Sequence, residues 1–419
     1  MNCGVLPMPE INLEKAVENS IPVGKLGILA LTGTDKLAKK IDFYLRKWRA
    51  ELCAAKRDNP HYDGYAQESY QIKYKIYPFG SGERKFVLEQ SVRGYDVYIL
   101  CDVFNYGETY EMYGYKNRMC PDMHFADLKR AISAIAGKAR RINVIMPMLY
   151  EGRQDKRTMR ESLDCAQALQ EMAAMGVENI VTFDAHNASV QNAIPLKGFE
   201  NVRTTYQMIK ALCRAEPNLI IDKDNLVIIA PDAGAMGRCA YYAKALGADI
   251  GMFYKQRDYA LVEDGRNKIT EHEYLGAPLD GKSAIVVDDM IASGDSMLKV
   301  AQNLKEKQGA EKIFLFSAFG LFTSGLKRFD DACEKGWINR VFTTNTVYRP
   351  PELLRRKWYK QVDMSKYIAY LLNNLNHDQT LSILLNPSAK IEELLHKHNE
   401  RLEQDRFDLF TLARKESDE

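Results

Sequence analysis

The feature that most constrains the fold is a regular alternation of short apolar runs with amphipathic helical patterns. The runs are rich in Val, Ile and Leu, as in strands that are buried on both faces of a parallel sheet. They lie at Leu26–Leu31, Val97–Val103, Arg141–Met146, Ile180–Phe183, Leu226–Ala230, Ile250–Tyr254, Ala284–Val287, Lys312–Ser317 and Arg340–Thr344. Helical patterns lie at Asp35–Ala50, Met123–Ala136, Arg160–Met175, Arg238–Leu246 and Ser296–Lys307. This order predicts α/β domains with parallel sheets flanked by helices, and it suits two modest sheets better than one.

Composition limits the class of protein. The chain has 419 residues, of which 46% are apolar and 27% charged, as in a globular protein too long for one core. A net charge of +2 favours neither nucleic acid nor an acidic partner. No apolar run is long enough to cross a membrane, and residues 1–18 show no secretory signal pattern. The eight cysteines form no CxxC pair, which is typical of reduced thiols and argues against zinc. We therefore expect a cytoplasmic protein with no membrane or nucleic-acid partner.

The segment from Ala284 to Met297 carries the strongest functional signal. Four apolar residues predict a buried strand, and Asp288 and Asp289 follow at its carboxyl end, where open α/β sheets bind ligands. The next residues can present consecutive backbone N–H groups to a phosphate at a helix start, namely Ser293, Gly294, Asp295 and Ser296. The carboxylates suit a ribose diol or a magnesium ion. Spacing alone leaves open an ordinary turn whose side chains cap the helix.

This segment resembles the loop that binds phosphoribosyl diphosphate (PRPP) in type I phosphoribosyltransferases and ribose-phosphate pyrophosphokinases. Both families carry two acidic residues, a short spacer and Thr-Gly-x-Thr. The loop alone therefore does not separate a transferase from a kinase. Its resemblance implies that the ribose phosphate contacts the residues Asp288, Asp289, Ser293, Gly294, Asp295 and Ser296.

Four further segments, in the family's order, resemble ribose-phosphate pyrophosphokinases in particular. Taken singly, each could be a solvated loop, a structural histidine, a turn or a solvated strand end. They are Arg153-Gln154-Asp155, Asp184-Ala-His186, Pro231-Asp232-Ala-Gly234 and Lys255-Gln-Arg257, the last resembling the start of a catalytic flexible loop. A weaker match covers Tyr77–Glu83, and Glu89–Val97 is similar to the family's Glu-Ser-Val-Arg-Gly-x-Asp-Val. Together these segments favour the kinase.

The resemblance implies two tandem type I phosphoribosyltransferase-like domains. Its implied parts are an N-terminal extension (1–24), an ATP-side domain (25–200), a ribose 5-phosphate-side domain (201–365) and a helical tail (366–419). The implied ATP-binding residues are Phe79, Glu83, Arg153, Gln154, Asp155 and His186. The implied ligands of Mg²⁺ are His186 and Asp232, and the implied catalytic residues are Lys255, Arg257 and His186. The family also implies a homo-oligomer built from dimers, up to a hexamer.

The implied reaction transfers a pyrophosphoryl group from MgATP to the anomeric hydroxyl of ribose 5-phosphate, which gives PRPP and AMP. The loop departs from the family, however, because Ala292 stands where an Asp is usual and Asp295 where a Gly is usual. Asp295 must point away from the phosphate, pair with a cation or indicate a different acceptor. Three alternatives stay open: another ribose phosphate ester as acceptor, a noncatalytic regulatory subunit and, less favoured, a phosphoribosyltransferase.

Overall fold

The structure is a computed structural model that describes residues 20–55, 62, 65–135, 137–263 and 266–417, without the side chains of 255–272, 383 and 405–417. The chain forms two compact units, each built on one main sheet. The first unit takes residues up to 182, then 187–202 and 365–386. The second takes residues 183–186, 203–364 and those from 387 onward.

Sixteen strands lie in the described part of the chain. They are β1 (Lys25–Ala30), β2 (Tyr74–Pro78), β3 (Arg84–Leu88), β4 (Tyr95–Leu100), β5 (Thr109–Met112), β6 (Tyr115–Arg118), β7 (Arg141–Ile145), β8 (Asn179–Phe183), β9 (Gly198–Val202), β10 (Leu226–Ala230), β11 (Asp249–Glu263), β12 (Arg266–Leu275), β13 (Ser283–Ile291), β14 (Ile313–Gly320), β15 (Arg340–Thr344) and β16 (Tyr359–Val362).

The α-helices of the described residues separate most of these strands. They are α1 (Asp35–Ala55), α2 (Pro121–Ile135), α3 (Asp164–Ala174), α4 (Thr205–Ala215), α5 (Met236–Leu246), α6 (Asp295–Glu306), α7 (Lys327–Glu334), α8 (Pro351–Leu354), α9 (Ser365–Asn376), α10 (Ser382–Leu385) and α11 (Ser388–Ser417). Short 3₁₀ helices lie at Ala188–Ala193 and Ala233–Ala235.

The first unit contains a five-stranded sheet in the order β1-β4-β7-β8-β9. The pairs β1–β4, β4–β7 and β7–β8 are parallel, as the strand–helix alternation predicts. The apolar residues of these strands are buried together with the inner faces of α2 and α3. Helix α9 belongs to this unit and packs against α1, although it lies more than 300 residues further along the chain.

The second unit contains a seven-stranded sheet in the order β12-β11-β10-β13-β14-β15-β16. All pairs from β11 to β16 are parallel, and β12 is the antiparallel partner of β11 at one edge. The central strand β13 is covered by α6, whose residues Met297, Val300, Ala301 and Leu304 are buried in the same core. The carboxyl ends of β10, β13 and β14 therefore meet at one edge of this sheet.

The predicted α/β fold with parallel sheets flanked by helices is confirmed, and every predicted strand is present. The segment expected as one tail (366–419) is divided, because residues 365–386 lie in the first unit and residues from 387 onward in the second. The expected N-terminal extension lies outside the described residues up to position 19. Among the described residues, no helix is long and apolar enough to span a membrane.

Candidate active site

The acidic pair lies where the sequence pattern predicts, at the carboxyl end of the buried strand β13. Its residues Ala284 to Val287 are fully buried, and the strand continues past the two aspartates to Ile291. Asp289 is 4% exposed, whereas the side chain of Asp288 is 25% exposed. Asp288 can therefore meet a ligand, while Asp289 faces the protein.

His186 contacts this pair directly. Its Nδ1 lies 2.7 Å from Oδ2 of Asp289, and the side chain of His186 is 47% exposed. The second unit thus unites the predicted His186 with the predicted acidic pair, although the chain separates them by about a hundred residues. A half-exposed imidazole held by a buried carboxylate has a fixed orientation and an accessible edge.

Arg238, in the first turn of α5, supplies the balancing positive charge. Its Nη1 lies 3.8 Å from Oδ1 of Asp288, and its side chain is 16% exposed. Its positive charge also acts on Asp184 and Asp289, where it favours the ionised carboxylates and so opposes the effect of burial on their pKa values. Buried carboxylates need such a partner, because desolvation alone strongly disfavours their charged forms.

The two aspartates titrate in opposite directions. Burial and the neighbouring charge of Asp289 raise the pKa of Asp288 to about 7. Burial acts on Asp289 as well, but the hydrogen bond with His186 and the charge of Arg238 outweigh it and lower the pKa of Asp289. A pair whose pKa values are pushed apart in this way is typical of functional sites.

Asp184 supports the same cluster from the end of β8. It has a left-handed backbone with φ 38°, and its Oδ2 accepts hydrogen bonds from the backbone N and hydroxyl of Thr204. Burial raises the pKa of Asp184, although Arg238 and Thr204 act against this shift. A non-glycine residue held at positive φ is strained, and such strain persists where the surroundings demand one geometry.

The predicted phosphate loop leads directly into α6. Gly294 has φ 86° and immediately precedes α6, so backbone N–H groups of the first helical turn are available beyond it. A Cβ atom at Gly294 would lie 2.4 Å from Cζ of Phe329, so only glycine fits here. Ser293 Oγ accepts from the N–H of Asp295 (3.3 Å), and Ser296 is exposed in the first turn of α6.

Asp295 resolves one of the options left open by the sequence. Its carboxylate forms an ion pair with Arg328 of α7, so the unusual charge in the loop has a cation beside it. Ala292, the other departure, lies in the loop where its carbonyl accepts a hydrogen bond from the N–H of Thr323 (2.9 Å).

The other predicted ATP residues lie in the first unit. Phe79 is 51% exposed at the tip of the β2–β3 hairpin, where Ser81 donates to Glu83 (2.9 Å). Asp155 accepts a hydrogen bond from the amide of Asn187 (2.6 Å). Gln154 donates to the carbonyl of Ser162, and Arg153 is exposed in the same loop. An exposed aromatic ring and an exposed guanidinium are available to a ligand.

The remaining predicted residues are less informative. Asp232 caps the 3₁₀ helix Ala233–Ala235 by accepting from the N–H of Gly234 (3.0 Å). The side chains of Lys255 and Arg257 lie outside the described residues, although their backbone belongs to β11. Within the described ranges, no group of three or more His, Cys, Asp and Glu side chains is arranged to hold a metal ion.

Three residues of this region were missed by the sequence reasoning: Arg238, Thr204 and Arg328. Arg238 lies four residues after Gly234, so a basic residue near a strand end could have suggested a partner for the acidic pair. Thr204 and Arg328 carry no such signal, because their roles depend on which helix packs beside which loop.

Two family models match this chain. One, described as the N-terminal domain of ribose phosphate pyrophosphokinase, matches residues 26–176. The other, described as the phosphoribosyl synthetase-associated domain, matches residues 275–386. Together the two models account for more than half of the chain and include the acidic pair and phosphate loop.

The chain belongs to the ribose-phosphate pyrophosphokinase family. It is 26% identical over 308 residues to a ribose-phosphate pyrophosphokinase of Maricaulis maris, covering 73% of this chain and 89% of that protein. It is also 25% identical over 338 residues to phosphoribosyl pyrophosphate synthase-associated protein 1 of Bos taurus, covering 74% and 88%. The relatives therefore include proteins named as pyrophosphokinases and a protein named as synthase-associated.

A solved structure shares the family fold. The crystal structure of phosphoribosylpyrophosphate synthetase from Mycobacterium smegmatis matches with a TM-score of 0.66 and 18% identity, covering 84% of this chain and 99% of that one. At this identity the match establishes the fold alone.

Proposed function

We propose that the chain is an active ribose-phosphate diphosphokinase, which transfers a pyrophosphoryl group from MgATP to the anomeric hydroxyl of ribose 5-phosphate. The observation that carries this proposal is the arrangement of Asp288, Asp289 and His186 beside the Gly294 loop. The loop suits the 5-phosphate of the sugar, and the partly exposed Asp288 suits its ring hydroxyls.

The chemistry asks the protein chiefly to position two anionic substrates and to offset their charge. The anomeric hydroxyl attacks the β-phosphorus of ATP in line, and AMP leaves. The hydrogen bond with Asp289 orients His186. The positive charge of Arg238 offsets the repulsion between the two aspartates. Lys255 and Arg257 are the proposed cations for the charge that develops on the transferring group.

Mg²⁺ is the proposed cofactor. Asp288 and Asp289 offer carboxylate oxygens, which this ion prefers. The two carboxylates are adjacent and the side chain of Asp288 is 25% exposed, so these residues fit a divalent cation. We propose Asp288 as a donor beside the sugar hydroxyls, with His186 and Asp232 as the donors implied by the family. When bound, the ion would neutralise charge on the phosphate oxygens.

ATP is assigned to the first unit's elements by the same reasoning. We propose that Phe79 stacks on adenine, since it exposes half of its ring at a hairpin tip. Arg153 offers a guanidinium fork to phosphate, with Gln154 and Asp155 in the same loop.

We further propose that the protein is cytoplasmic and that it forms a homo-oligomer built from dimers.

A second candidate is a noncatalytic regulatory subunit. The similarity to a synthase-associated protein of Bos taurus supports it, as do the departures at Ala292 and Asp295. The Asp295–Arg328 ion pair weakens this reading, because it removes the electrostatic objection to phosphate in the loop.

The test is to incubate the purified chain with MgATP and ribose 5-phosphate and to measure AMP and PRPP by chromatography. The proposal expects both products in equal amounts, and other ribose phosphates should give little AMP. Formation of AMP only with another ribose phosphate would indicate a different acceptor. No AMP with any acceptor would favour the regulatory subunit.

Lys255→Ala sharpens this test. The variant should lose AMP formation by about a hundredfold or more, as when one donor to a transition state is removed. Its affinity for ATP should stay within about twofold, measured by calorimetry, and Lys335→Ala serves as a control with the same change of charge. Unchanged turnover in Lys255→Ala would sink the assignment of this residue.

A further inference from the structure

The ion pair between Asp295 and Arg328 lies at the mouth of the phosphate loop. Asp295 is the first residue of α6, and Arg328 lies in the first turn of α7. Their side chains are 53% and 52% exposed, so both are within reach of a ligand. This pair is separate from the buried cluster around Asp289.

Packing that does not involve the ion pair holds the start of α7 against the loop. The neighbour of Arg328, Phe329, is fully buried, and its ring lies so close to Gly294 that no Cβ fits between them. The N–H of Thr323 also donates to the carbonyl of Ala292 (2.9 Å). These contacts therefore fix the backbone of Arg328 beside the loop.

The charges at this mouth would otherwise oppose the proposed ligand. A carboxylate at Asp295 repels a phosphate dianion held by the neighbouring backbone N–H groups. The guanidinium of Arg328 has five N–H donors, and the contact with Asp295 is made through Nη1. Donors thus remain for a phosphate, and one guanidinium can bridge two anions.

We propose that Arg328 is a further binding residue for the phosphate of the sugar phosphate, and that Asp295 is the positioning residue that orients it. This inference rests on the proposed function, which assigns the Gly294 loop to a phosphorylated sugar. In this chain the guanidinium of Arg328, oriented by Asp295, would bind the phosphate together with the backbone N–H groups at the start of α6. The pair would then select a dianionic phosphate group on the acceptor.

The test compares the wild type with Arg328→Ala by steady-state kinetics and by calorimetric titration with ribose 5-phosphate. The variant should raise KM and Kd for ribose 5-phosphate about tenfold or more, because a charge-assisted hydrogen bond is lost. KM for ATP should stay within about twofold. Lys335→Ala, at the far end of α7, is the matched control and should change neither constant.

The double variant Asp295→Asn with Arg328→Ala decides between two roles for the arginine. If Arg328 binds the phosphate, the double variant still binds ribose 5-phosphate more weakly than the wild type, because the lost N–H donors are not replaced. If Arg328 only cancels the charge of Asp295, removing both charges restores wild-type affinity, and the inference is overturned.

The two proposals can fail separately. AMP formation by the wild type with an unchanged KM in Arg328→Ala would overturn this inference and leave the proposed function standing. No AMP, together with ribose 5-phosphate binding that Arg328→Ala weakens, would overturn the kinase and leave the phosphate site standing. A wild type that binds no ribose 5-phosphate would overturn both.

Discussion

At the scale of single residues, Gly294 is constrained both by its backbone and by its neighbours. It needs a left-handed backbone, and it needs space that the ring of Phe329 occupies. Gly294→Ala should therefore reduce the free energy of unfolding by about 3 kcal/mol, from backbone strain and overpacking together. Urea denaturation followed by circular dichroism measures this loss.

Gly325→Ala is the matched control for this substitution. Gly325 has φ 79°, but no heavy atom lies within 4 Å of the position of its Cβ. Its substitution should cost about 1 kcal/mol, from strain alone. Equal losses of unfolding free energy at the two glycines would show that the contact with Phe329 does not constrain position 294.

The raised pKa of Asp288 makes the stability of the protein depend on pH. Its pKa is raised from 3.8 to about 7, so the folded protein holds this proton more tightly than the unfolded chain does. The contribution of Asp288 to stability is therefore greatest at low pH and is lost as the pH rises from 3.8 to about 7.

Asp288→Asn removes this titration. In the absence of divalent cations, the variant should gain stability relative to the wild type between pH 4 and pH 8, by about 4 kcal/mol in total. Chemical denaturation at a series of pH values gives the difference. A difference that does not change with pH would contradict the account of the acidic pair.

At the scale of elements, α9 is a structural part of the first unit. Asn376 at its end accepts from Arg49 Nη2 (2.6 Å) and donates to Asp96 Oδ2 (2.9 Å) and to the carbonyl of Gly24 (3.0 Å). Arg49 is 2% exposed and Asp96 is fully buried. The helix therefore completes a buried polar network between α1 and the sheet.

Asn376→Ala should destabilise the protein by about 3 kcal/mol, because two buried charged groups lose a partner. The control is Gln379→Ala, which removes a half-buried amide beyond the end of α9 and should cost about 0.5 kcal/mol or less. Similar losses in both variants, measured by thermal and urea unfolding, would show that the network does not depend on Asn376.

The elements also show what periodicity can and cannot predict. The central strands were predictable, and β10 and β15 agree with the prediction to the residue, because strands buried on both faces are continuous apolar runs. The edge strands β9 and β16 were missed, since a sequence such as Gly198–Val202 has no apolar run. The role of α9 was missed because Asn376 and Arg49 are 327 residues apart.

At the scale of the whole molecule, the two sheets divide the predicted site residues between two units. The acidic pair, the phosphate loop and His186 lie in the second unit, and the other proposed ATP residues lie in the first. The acidic pair was predictable, because the carboxyl ends of parallel strands gather at one edge. The partners Arg238 and Arg328 were not, since their positions depend on how α5 and α7 pack.

The central claim is that this chain transfers a pyrophosphoryl group, and the fate of the β-phosphorus of ATP tests it most directly. ATP carrying radioactive phosphorus at the β position is incubated with the protein, Mg²⁺ and ribose 5-phosphate, and the products are separated by anion-exchange chromatography. We predict that the label enters PRPP and that the AMP formed is unlabelled. Label that appears in ADP, or stays entirely in ATP, would contradict the claim.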